Sequence, residues 1–118
     1  MSIRNAMLYA LGASTVIQWG AIAMASTPDA WDDPMDPVVI TTAAIADGQS
    51  HVLLVHHEAG HGGWQLYDGS DISGQKPAVL PKAEALKLDP SLRPITDLPV
   101  GWAAYRETPT APWVRARL

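Results

Sequence analysis

The sequence predicts a small α+β domain: an antiparallel or mixed sheet of four to five strands with one principal helix, preceded by an N-terminal hydrophobic helix. Three observations carry that prediction. Several short β-branched or alternating runs are bounded by Gly, Asp and Pro, the punctuation of strands and turns. One run of good helix formers follows directly on a proline. A long uncharged stretch opens the chain, with no Asp, Glu, Lys or Arg between Arg4 and Asp29.

The opening stretch stands apart from the rest. Ala6 to Ala25 reads AMLYALGASTVIQWGAIAMA, after a single basic residue and before Ser26-Thr27-Pro28. A positive start, an apolar middle and a small-x-small exit make the pattern of a secretory signal peptide. The run is also about long enough to span a bilayer, so an uncleaved anchor is a second reading. Ser14, Thr15 and Gln18 dilute it enough to leave a buried soluble helix as a third. Residues 1–25 are therefore assigned as signal peptide or hydrophobic anchor helix, and any membrane contact runs through 6–25. The expected location is exported, periplasmic or secreted, with the cytoplasm as the alternative.

Residues 26–37 read as an acidic, proline-punctuated linker, DAWDDPMDP from Asp29 to Pro37. A calcium loop is the competing reading, but no glycine-turned loop closed by a bidentate Glu follows. The folded domain then covers 38–118. Val38–Thr42 is β-branched throughout and predicts a strand. Ala43–Ala46 predicts one helical turn, stopped by Asp47-Gly48. His51–His56 is a continuous apolar run that predicts a strand buried on both faces. Gly63–Tyr67 alternates and predicts its hairpin partner. Ala78–Leu80 is a shorter strand candidate. Pro81 opens a helix over Lys82–Leu88, with Ala83 and Leu86 on one face, and Asp89-Pro90 ends it. Gly101–Arg106 predicts another strand, and Trp113–Arg115 a last edge strand.

The totals bound the function. The chain has 118 residues, no cysteine and a net charge of −4. That length holds one domain. The basic residues are scattered and form no patch, which excludes a nucleic-acid binder. Without cysteine there is no disulfide, no thiolate nucleophile and no Cys-ligated zinc. No cofactor-binding motif is present. Five tryptophans and three tyrosines stand in for absent phenylalanine, so Trp64 and Trp102 are expected in the core. Asp68 and Asp71 fall in a turn-rich segment that favours local hydrogen bonding.

One string resembles chemistry. His57-Glu58-Ala59-Gly60-His61 fits H-E-x-x-H, in which two histidines one helical turn apart bind zinc and the glutamate activates water. Here it follows a strand-like run and is crowded by Gly60, Gly62 and Gly63, which oppose a helix. A hairpin tip is the favoured reading, with no catalytic and no metal residue assigned. The alternative is a zinc-dependent hydrolase using His57, Glu58 and His61, or a non-catalytic metal site using His56, His57 or His61.

A family resemblance adds content. Gly63–Gly69 reads GWQLYDG, and LDPSL follows at Leu88–Leu92, then DLPVG at Asp97–Gly101 and AYR at Ala104–Arg106. This order resembles the small bacterial domain called immunity protein family 33 and related uncharacterised bacterial proteins, over roughly 38–118. The resemblance implies a small α+β domain without enzyme activity that binds and neutralises a toxin; an envelope protein is the other expected kind of partner. The export segment departs from that family and points to a periplasmic target or a different use of the domain.

Overall fold

A computed structural model describes residues 30–59 and 63–118. The helix expected over 1–25 lies outside the described residues, as do Gly60, His61 and Gly62. The fold is a mixed α+β arrangement built on one sheet. Its strands are β1 (Val38–Thr42), β2 (Leu54–His57), β3 (Trp64–Tyr67), β4 (Pro77–Pro81), β5 (Trp102–Tyr105) and β6 (Val114–Arg117). They lie in the order β4-β1-β3-β2-β5-β6. The described residues also form two helices, α1 (Ala43–Ala46) and α2 (Lys82–Leu88), and a 3₁₀ segment over Pro90–Ile95.

Six strands form where four to five were expected, because both short candidates pair. β4 is stitched along its whole length to β1, and β6 to β5. The sheet is mixed at one place only among the described residues: β1 runs parallel to β3, with Ile40 opposite Gln65. β2 and β3 form the expected hairpin, Leu54 opposite Tyr67 and His57 opposite Trp64.

Two expectations need correction. β2 does not start at His51, and it is not buried on both faces. Val55 and His57 point into the core, while Leu54 and His56 are half-buried on the other side. β2 lies centrally in the sheet, yet among the described residues the helices pack on one face, so burial alternates along it. In α2 the buried residues are Lys82 and Ala85, with Leu86 packed against the core and Ala83 exposed. Lys82 enters because its ammonium meets Asp36 at 3.5 Å and its stem is covered.

The register sorts the side chains. Val39, Val55, Trp64, Leu66 and Ala104 face inward, where Ile45, Ala85, Leu92, Ile95 and Leu98 close over them. Trp64 is 1% exposed and sits at the centre; Trp102 is only partly buried and packs at the core's margin. Trp31, from the acidic stretch before β1, meets Trp64 edge-on at 5.0 Å. The outer face carries His56, Gln65, Tyr67 and Tyr105.

Turns set the strand lengths. Thr42 caps α1 by accepting from the Ile45 N–H, and Gly48 at φ 79° ends it. Asp89 is extended, as a residue before proline must be, and its carboxylate accepts from the Ser91 N–H.

Candidate functional site

His57 and Glu58 stand at the end of β2. The helix that zinc chemistry requires of the motif is therefore absent at these two positions. The His57 ring points inward, 2% exposed, and stacks on Trp64 with centroids 3.9 Å apart. Its Nδ1 lies 2.6 Å from the Leu98 carbonyl oxygen. A carbonyl only accepts, so Nδ1 carries a proton and donates it to Leu98. Its Nε2 is buried and has no hydrogen-bond partner among the described residues. Glu58 goes the other way: its carboxylate is 3.5 Å from Nδ1 of His56 on the outer face. The structure thus separates His57 from Glu58, and His61 lies outside the described residues. Among the described residues no group of three or more His, Asp or Glu is placed to hold a metal.

The turn after β3 is self-contained. Asp68 accepts from the Ser70 N–H and hydroxyl, and Asp71 from the Ser73 N–H. These bonds hold both carboxyls below the usual carboxylate range, Ser70's hydroxyl being the largest influence on Asp68 and Ser73's N–H on Asp71. Burial pushes the Tyr67 hydroxyl up, and the Glu58 charge adds to it.

The opposite end of the molecule holds a denser arrangement. Arg106, just past β5, is 6% exposed. Its Nε and Nη2 donate to the Val52 carbonyl at 3.1 and 2.8 Å. Nη1 donates to Ser91 Oγ at 2.7 Å, and Nη2 to Asp89 at 2.9 Å. The Ser91 hydroxyl donates to Asp89 in turn. Trp113 lies over the guanidinium at 4.1 Å, and its indole N–H donates to the Ser91 carbonyl at 2.8 Å. The planar fork of arginine suits this many acceptors, and the indole covers its face.

This network floors a cavity of about 650 Å³, walled by Pro94, Ile95, Trp113 and the loop Pro109–Pro112. Arg115 stands at its rim, donating to the Pro94 carbonyl at 2.9 Å and pairing with Asp97. The cavity was not visible in the sequence. Asp89 and Ser91 lie in one motif, LDPSL, and Arg106 in another, AYR, while Trp113 and Arg115 read as part of an edge strand. Nothing but the topology brings them together.

No family model, curated protein or solved structure matches the chain.

Proposed function

We propose that this chain is a non-catalytic protein-binding domain, exported from its cell, of the immunity type that neutralises a toxin. The cleft beside Trp113 carries the reading. Its walls are apolar, and its size suits a few side chains of a partner. Its polar floor is committed to the protein: all three guanidinium nitrogens of Arg106 hold protein acceptors, and Ser91 Oγ is engaged by Asp89 and Arg106. A hydroxyl so engaged is a poor nucleophile, and no histidine lines the cleft to activate it. The residues that carry the family resemblance, LDPSL and AYR, share this one network, which fits their belonging to a single structural unit. The zinc-hydrolase alternative draws no support from a His57 ring turned into the core.

The reading expects a toxin gene beside this one, and the test is co-expression with the product of that gene. The chain should rescue growth, and Ala111→Trp, which fills the cleft from an exposed loop, should abolish rescue without lowering the melting temperature. Undiminished rescue by that variant would remove the cleft from the reading. N-terminal sequencing of periplasmic protein should begin near Ser26; an intact Met1 in the cytoplasm would remove export.

A further inference from the structure

The two edges of the sheet are built differently. In an antiparallel ladder, alternate residues turn their N–H and C=O toward the partner strand, and the others turn them away. On β4 the outward set is fixed by two flanking bonds, Lys82 N–H to Pro37 and Ala43 N–H to Lys76. Together with the register Val39–Leu80 and Thr41–Ala78, they leave Pro77, Val79 and Pro81 facing the open edge. Two of those three have no N–H, so β4 cannot take up another strand.

On β6 the Leu118 N–H donates to the Gly101 carbonyl at 2.9 Å. The register Ala103–Ala116 and Tyr105–Val114 continues that parity. Arg115 and Arg117 therefore turn their N–H and C=O outward, and both can pair. All four residues of β6 are exposed. Its two faces also differ. The Arg115 and Arg117 side chains share the helix-covered side, Arg117 lying 5.5 Å from the Trp102 ring. Val114 and Ala116 share the other side, beside Tyr105, which is 46% exposed. Two of the chain's eight Lys and Arg residues sit on this four-residue strand, in a protein of net charge −4.

We propose that β6 is a strand-acceptor edge for an extended segment of the protein partner in which acidic residues alternate with apolar ones. This rests on the protein-binding reading above and names the partner's chemistry. Main-chain bonds to Arg115 and Arg117 supply the pairing, and the alternation supplies selectivity. Cross-strand neighbours lie about 5 Å apart, close enough for a carboxylate to meet the Arg117 guanidinium, while one beside Arg115 shares that guanidinium with Asp97. The apolar residues fall beside Val114 and Ala116. Whichever end of the segment runs past Val114 reaches the cleft at Trp113, where one large apolar side chain fits. A second copy is a worse occupant, because two-fold pairing of β6 sets arginine beside arginine.

The test uses a labelled peptide that alternates glutamate with valine and ends in tryptophan, titrated to about 1 mM into the full chain. Binding is expected, with slowed amide exchange at Arg115 and Arg117. A lysine-for-glutamate peptide should bind at least tenfold more weakly. Arg117→Pro, which removes an outward N–H and leaves the β5–β6 ladder intact, should weaken binding at least tenfold, and Arg117→Ala only a few-fold. No binding, binding without protection of those amides, indifference to Arg117→Pro, or a dimer paired through β6 would overturn the proposal. Toxin rescue separates the two levels. Rescue that survives Arg117→Pro but is lost in Ala111→Trp removes the edge and keeps the binding domain; absence of any rescue removes the domain's assigned role.

Discussion

The His57 end and the Arg106 end of the molecule invert what their sequences advertise. The first carries the one string that spells a known chemistry, and its histidine is turned inward against Trp64. The second carries no string that spells a chemistry, and three residues spread over 25 positions, Asp89, Ser91 and Trp113, converge there on the Arg106 guanidinium. A spacing motif presupposes a secondary structure. When the backbone is a strand, the same letters put His57 and Glu58 on opposite faces. A network like that of Arg106 presupposes a topology, and it leaves no local trace.

Substitutions break or sharpen that contrast. The largest effect is expected at Arg106→Ala, which strands the Asp89 carboxylate and the Val52 carbonyl; urea unfolding should show a loss of about 3–5 kcal/mol. A loss below about 1 kcal/mol would mean the network is ornamental. His57→Ala comes next, at about 2–3 kcal/mol from lost packing against Trp64. It should cost this much with or without zinc. A zinc-dependent rise in melting temperature that His57→Ala removes would restore the metal reading.

Gly63→Ala should cost about 1–2 kcal/mol. Gly63 has φ 27°, and a Cβ there would lie 2.9 Å from Asp36 Oδ2, disturbing the carboxylate that faces buried Lys82. Its melting temperature should fall more than that of an alanine at Gly69, where the space is open.

Glu58→Gln should change stability by less than about 0.5 kcal/mol, since its carboxylate is half-exposed. It should nevertheless lower the Tyr67 pKa toward the ordinary tyrosine value, read by ultraviolet titration. The sign follows from the cause. Tyr67 binds its proton more tightly in the folded state than in the unfolded one. Its contribution is complete below the unfolded pKa and is lost as pH rises through the folded pKa. Removing the Glu58 charge shrinks that alkaline loss. An unchanged titration would mean burial alone sets it.

Much of the fold was legible because local rules and tertiary structure agreed. Val38–Thr42, Ala43–Ala46 and Lys82–Leu88 form with the predicted bounds, since β-branching, a capping threonine and a leading proline each act within a few residues. The parallel pairing of β1 with β3 was not legible, because no local signal states which strand lies beside which. The face of α2 was misread for a related reason: Lys82 looks solvated until Asp36 is known to stand next to it. Of the candidate site, the sequence offered the residues Asp89, Ser91 and Arg106 but not their meeting.

The prolines of β4 also limit how many copies can join. With Pro77 and Pro81 spending two of its three outward positions, each sheet has a valence of one for edge-to-edge pairing. Edge to edge, the described sheet can pair with a second copy only through β6, and such a pair presents two blocked ends. Growth stops at two, so cross-β propagation from the native state has no site at which to add a third.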